Sequence, residues 1–177
     1  PPVSGVSLFQ PSDTPAILSD NDPNAVELGV KFTASTSGTV TAIRYYKGTG
    51  DSGTHVGSLW TSGGTRLAQV TFTGETASGW QQATLSTPVA ITAGPPYVVS
   101  YHSNGGYAAT TNYFTAAHTN APLSAPSSGT SGGNGVYQYG SGGFPTQTYN
   151  AANYWVDIVF DSSSSQAALS GPEFAAK

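Results

Sequence analysis

The sequence predicts an all-β chain folded as a single antiparallel β-sandwich of jelly-roll type. Three observations carry this. Short runs rich in Val, Ile, Thr, Tyr and Phe recur between Gly- and Pro-marked turns. Met is absent and Lys, Arg, Asp and Glu are few, while 22 Gly and 12 Pro punctuate the chain, so long helices are disfavoured. The 177 residues suit one sandwich without a second core.

The strands follow in order. Val26 to Phe32 alternates, with Val26, Leu28, Val30 and Phe32 on one face and Glu27, Gly29 and Lys31 on the other. Val40 to Tyr46 follows a Ser37-Gly38 turn, and Val56 to Thr61 follows Gly48 to Thr54. Gly63-Gly64 then joins a hairpin to Leu67–Thr73. Trp80 to Leu85, Val89 to Ile91 and Tyr97 to His102 come next. Asn153 to Phe160 alternates again, placing Tyr154, Val156, Ile158 and Phe160 together. Thr115 to Gly135 shows no periodicity and reads as an irregular loop, a variable insertion rather than a binding-site lid. Residues 1–160 are expected to form the module, and the Ser-rich stretch 161–177 a flexible tail. The lack of an initiator Met or leader pattern suggests a mature fragment or excised module.

Composition narrows the function classes. A net charge of −4 with five Lys and Arg and no basic cluster argues against nucleic acid. No apolar run approaches the roughly 20 residues that span a bilayer. With no Cys there is no disulfide framework, thiolate zinc site or Cys nucleophile. Low charge with abundant Thr, Ser, Gly and Tyr is expected of an exported module, placing the chain outside the cell.

Two constellations suggest ligands. Asp20, Asp22 and Asn24 occupy a turn before the strand that carries Glu27, and Asp157 lies on the last strand. Hard cations take six to eight oxygen ligands, so Asp20, Asp22, Glu27 and Asp157 are the expected ligands of a structural calcium if the first and last strands pair. The alternation puts Glu27 and Asp157 on solvent-side faces, where like charges side by side need a cation between them. The second constellation is aromatic: ten Tyr, seven Phe and three Trp. Sugar rings stack on aromatic faces while their hydroxyls seek Asn, Asp, Gln or backbone partners. Trp60, Tyr101, His102, Asn104, Tyr107, Tyr137 and Tyr139, near strand ends or in Gly-rich contexts, are the candidate ligand-binding residues. No nucleophile elbow, HExxH or P-loop is present, and no carboxylate pair can be placed across a glycosidic bond, so the expected role is not catalytic.

Motifs in one order carry a resemblance over roughly Val6 to Phe160. They are Ser7-Leu8-Phe9, Pro11 to Pro15, Asp20 to Phe32, Gly57-Ser58-Leu59-Trp60, Gly79-Trp80-Gln81-Gln82, Phe144 to Asn150 and Asn153 to Asp157. With them the chain resembles the domain-of-unknown-function family 4082. The resemblance implies an accessory β-sandwich of modular secreted bacterial proteins, joined covalently to neighbouring domains and similar in outline to carbohydrate-binding modules. Such modules often hold a structural calcium near the first and last strands. It carries over no functional residues. The expected function is therefore a non-catalytic extracellular module that binds polysaccharide. A structural or adhesive spacer is the alternative, and a polysaccharide-active enzyme domain the third reading.

Overall fold

The computed structural model describes residues 5–162, so the tail expected at 161–177 lies outside the described residues beyond Ser162. Eleven strands follow one another: β1 (Val26–Ala34), β2 (Gly38–Lys47), β3 (Val56–Thr61), β4 (Arg66–Thr71), β5 (Gly79–Ile91), β6 (Tyr97–Ser103), β7 (His118–Asn120), β8 (Leu123–Ala125), β9 (Val136–Tyr139), β10 (Gln147–Thr148) and β11 (Val156–Asp161). A 3-10 turn at Tyr113–Thr115 and one α-helical turn at Ser128–Ser131 are the described helical pieces. The larger sheet runs β10-β9-β1-β6-β3-β4, with β8 on the end of β1 and β7 on β8. The smaller sheet is β11-β2-β5, and every pairing is antiparallel. The two sheets enclose one apolar cluster that runs from Leu8 to Phe160 and includes Leu28, Val30, Phe32, Ile43, Tyr45, Leu59, Val99 and Ile158.

Alternation accounts for most of this. The even residues Val26 to Phe32 of β1 turn inward and are almost fully buried. The β3–β4 hairpin forms as expected, and the Trp80 and Val89 runs merge into the single strand β5, irregular where it pairs with β2 between Val40 and Ala42. The stretch 115–135 departs from expectation. It holds β7, β8 and the helical turn, because Leu123 and Ala125 have no exposure and belong to the core. Asn134 closes the gap between β8 and β9. Its Oδ1 accepts from Lys31 N (2.9 Å), and its Nδ2 donates to the carbonyls of Lys31 (3.1 Å) and Pro126 (2.9 Å). One buried amide thus stands in for a missing strand neighbour.

The expected pairing of first and last strands does not occur. β1 pairs with β6, β8 and β9, whereas β11 pairs with β2 in the opposite sheet. Nor does Asp157 face solvent. It has no exposure, because the N-terminal segment lies over its side of the small sheet. Its Oδ1 accepts from Leu8 N (2.8 Å) and its Oδ2 from Phe9 N (3.0 Å), and Arg44, its cross-strand partner, stands 3.6 Å away. The Arg44 guanidinium also sits 4.3 Å from the centre of the Trp80 ring, which stacks on Phe9. Asp157 therefore clasps the N-terminal segment to the sheet.

Removing one member of such a buried set leaves the others uncompensated. Asp157→Ala is expected to cost about 3–5 kcal/mol in urea unfolding, a larger loss than Asp157→Asn. A loss below about 1 kcal/mol would show that the clasp contributes little.

Candidate functional site

Strand β9 pairs with β1 in the register Tyr137 to Leu28 and Tyr139 to Val26. Both tyrosines therefore point to the inner side, beyond the edge of the small sheet, and find no covering strand. Tyr107 and Tyr154 reach the same place. Tyr154 meets Tyr107 at 5.9 Å and Tyr137 at 6.5 Å between ring centres, edge to face, and Tyr137 meets Tyr139 likewise at 5.6 Å. With Tyr149 they line a cavity of about 310 Å³ floored by Val26 and Leu28, with Asp20 and Asp22 at its wall. Tyr139 and Tyr149 are 47% and 58% exposed, among the most exposed large hydrophobic side chains described.

The acidic turn is tied to this cavity by hydrogen bonds. Asp20 N donates to Tyr107 O (2.7 Å) and Gly106 N to Asp22 O (2.9 Å). Asp22 accepts from the Tyr139 hydroxyl and from both nitrogens of Asn24. Burial alone would raise the Asp22 carboxyl, but these hydrogen bonds outweigh it and hold the group below the usual carboxylate range. The bond to Asp22, with burial second, pushes the Tyr139 hydroxyl up to about 12, and burial raises those of Tyr107 and Tyr154. All three stay protonated at neutral pH. The site offers ring faces, hydroxyl donors and carboxylate acceptors, the set that a sugar's apolar face and hydroxyls require.

Three of the seven expected ligand residues, Tyr107, Tyr137 and Tyr139, thus come together with two of the expected metal ligands. The others do not join them. Tyr101 is fully buried and stacks on Tyr45 (4.3 Å between centres), so it belongs to the core and not to a ligand surface. Asn104 pins a loop, its Nδ2 donating to the carbonyls of Ser52 (2.7 Å) and Thr54 (3.1 Å). Trp60 and His102 lie on the outer face of the large sheet, as does Glu27, in a cleft of about 410 Å³. There Trp60 Nε1 donates to Ser100 Oγ (2.8 Å), which donates to Glu27 Oε1 (2.6 Å). His102 Nδ1 stands 3.3 Å from Glu27 Oε2. Glu27 was expected to face solvent, yet it is only 3% exposed, because the turn at Ser141 to Gly143 closes over it.

The four carboxylates meant for calcium therefore stand in three places. Asp20 and Asp22 line the tyrosine cavity, Glu27 lies on the outer face of the large sheet, and Asp157 is under the N-terminal segment. Among the described residues no group of three or more His, Cys, Asp and Glu is placed to share an ion. The sequence reading also passed over Tyr149 and Tyr154. The alternation of the last strand groups Tyr154 with Val156, Ile158 and Phe160, and it does belong to the core while its ring also lines the cavity; Tyr149 has no strand pattern around it.

Titration of Glu27, Asp157 and His55 favours the fold at lower pH, and that of His102, lowered by burial, works the other way. Burial lifts Glu27 from 4.5 to about 7 and Asp157 from 3.8 to about 6, against the opposing pull of their hydrogen bonds and arginines. His55 is bound between Asp51 (2.9 Å) and Glu75 (3.0 Å), and although burial opposes its charge, the two carboxylates raise it above 6.5. A raised carboxyl holds its proton better in the folded state, so its contribution is largest at low pH and falls as pH rises from the unfolded to the folded value. For Glu27 that window is about 4.5 to 7. The His55 contribution is complete below 6.5 and is lost as pH rises through its folded value. Melting is therefore expected a few degrees higher at pH 6 than at pH 8. Glu27→Gln should narrow this gap, with His55 keeping part of it. Equal melting temperatures at the two pH values, or an unaltered gap in Glu27→Gln, would contradict the assignment.

No curated protein matches the chain. A family described only as a domain of unknown function (DUF4082) matches residues 12–156, which include β1 to β10, the first residue of β11 and every residue of the tyrosine cavity. The chain belongs to this family.

Proposed function

We propose that the chain is a non-catalytic, extracellular carbohydrate-binding module that holds covalently linked neighbouring domains near a polysaccharide, and that the tyrosine cavity is its sugar site. The supporting observation is the convergence of Tyr107, Tyr137, Tyr139, Tyr149 and Tyr154 with Asp20 and Asp22 around one cavity. Tyr154 belongs to the core and Tyr107 and Tyr137 pack against it, while Tyr139 and Tyr149 leave about half of their surface exposed. The volume lies near the lower end of small-ligand pockets, about 300–1,000 Å³, which suits a chain end or a short sugar stretch. Tyr139 and Tyr149 provide the ring surfaces, and Asp20 and Asp22 accept from sugar hydroxyls. A structural calcium forms no part of this reading, because its four carboxylates are dispersed. Among the described residues no helix is long and apolar enough to cross a membrane.

A glycan array followed by affinity electrophoresis tests the reading. Retardation by at least one neutral polysaccharide is expected. Tyr149→Ala and Tyr139→Ala should each weaken it about tenfold, the equivalent of one lost stacking contact. Asp22→Ala should weaken it as well. Absence of retardation across the array would leave the chain as a spacer, and full retention in both tyrosine variants would remove the cavity from the binding reaction.

A further inference from the structure

The outer face of the large sheet carries a feature that the tyrosine cavity does not use. Lys31, Val98, Trp60 and Arg66 are successive cross-strand partners on β1, β6, β3 and β4, and so form one row across the sheet. Four neighbouring strands put the end residues about 14 Å apart, at about 4.8 Å per step. The row is cationic at both ends and apolar in the middle. Trp60, Val98 and Val136 form a small separate cluster against which Phe144 packs, its ring 5.6 Å from that of Trp60. Gly29 allows this approach, since a Cβ there would lie 3.1 Å from Pro145 Cγ. Phe144 divides the face into two cavities. One, about 580 Å³, is lined by Lys31, Val98 and Phe144, and the other, about 410 Å³, by Trp60, Arg66, Glu27 and His102.

The charges on this face are selective. Of the cations among the described residues, Arg44 is paired with Asp157 and Lys47 with Glu75. Among the described residues Lys31 and Arg66 have no carboxylate within ion-pair distance, although the chain as a whole carries −4. Lys31 Nζ donates to the Ser131 carbonyl (2.9 Å), which fixes its position, and Arg66 lies over the Trp60 ring at 5.9 Å. In the second cavity the buried Nδ1 of His102 has no hydrogen-bond partner, although Glu27 is 3.3 Å away. Two cations in one row, Lys31 beside a largely apolar cavity and Arg66 beside a more polar one, match a chain of rings with apolar faces and regularly spaced carboxylates.

We propose that the outer face of the large sheet is a second ligand site, which takes an acidic polysaccharide through Lys31 and Arg66 on either side of Phe144. It uses different residues and a different sheet face from the tyrosine cavity, so either site can fail without the other.

Affinity electrophoresis of the full chain in gels containing polygalacturonate, with neutral dextran in parallel, tests this. Polygalacturonate should retard the chain at about 0.05 M salt, and the effect should fade by about 0.5 M as screening shortens the reach of the charges. Arg66→Gln, at an exposed position, and Lys31→Gln should each weaken retardation about tenfold, with Arg66→Lys recovering part of the loss. Tyr139→Ala should leave it intact. The proposal is overturned if polygalacturonate has no effect, if Arg66→Gln is retarded like the parent, or if Tyr139→Ala abolishes the effect. Retardation by dextran alone, lost in Tyr139→Ala, would overturn this site while supporting the tyrosine cavity.

Discussion

Strand β1 holds both candidate sites, because its register with β6 and β9 fixes what each of its faces presents. Val26 and Leu28 floor the tyrosine cavity from the inner face, and Glu27 and Lys31 reach the two outer-face cavities. A pairing slip by one residue would turn every one of these side chains to the opposite face. The register is held by burial of Val26, Leu28, Val30 and Phe32, none more than 1% exposed. Asn134 reinforces it by bonding both backbone groups of Lys31.

Few residues are charged, yet many of those that are lie inside. Glu27, Asp51 and Asp157 are at most 3% exposed, and Arg44, Lys47 and His55 are buried too. Each is placed where chain segments must be joined. Asp157 and Arg44 fasten the N-terminal segment to the small sheet. Asp51 accepts from Ser103 Oγ (2.7 Å) at the end of β6 and bonds His55. Glu75, after β4, bonds His55, receives the Tyr45 hydroxyl and lies 3.8 Å from Lys47 on β2. Such groups are costly to desolvate and gain little net stability over apolar packing, but they penalise any arrangement that leaves one unpaired. Long loops are thereby held in single positions, and the cavities between them keep their shape.

The outer face of the large sheet behaves differently from the interior. Its charges Lys31 and Arg66 are left without carboxylates, while its one carboxylate, Glu27, is buried and lifted to about 7. Burial disfavours the charged forms of both Glu27 and Lys31, while the exposed Arg66 draws Glu27 the other way. In the tyrosine cavity Asp22 is held ionised by its hydrogen bonds.

The sequence by itself determined the β class, most of the strands and which residues of β1 and β11 turn to the core, since period-two alternation and Gly-marked turns are local signals. The β3–β4 hairpin was legible for the same reason, its partners being separated only by a short turn. It also singled out Tyr107, Tyr137 and Tyr139 from their Gly-rich contexts, and these three line one cavity. Only the tertiary structure decided which strands lie side by side across long separations. The first and last strands do not pair, so the condition for gathering Asp20, Asp22, Glu27 and Asp157 is not met. Tyr101 and Tyr137 looked alike in sequence. Both point inward, but Tyr101 has the small sheet above it while Tyr137 projects past that sheet's edge. The difference between core and open cavity at these positions is set by what covers them, and cover comes from segments distant in the chain.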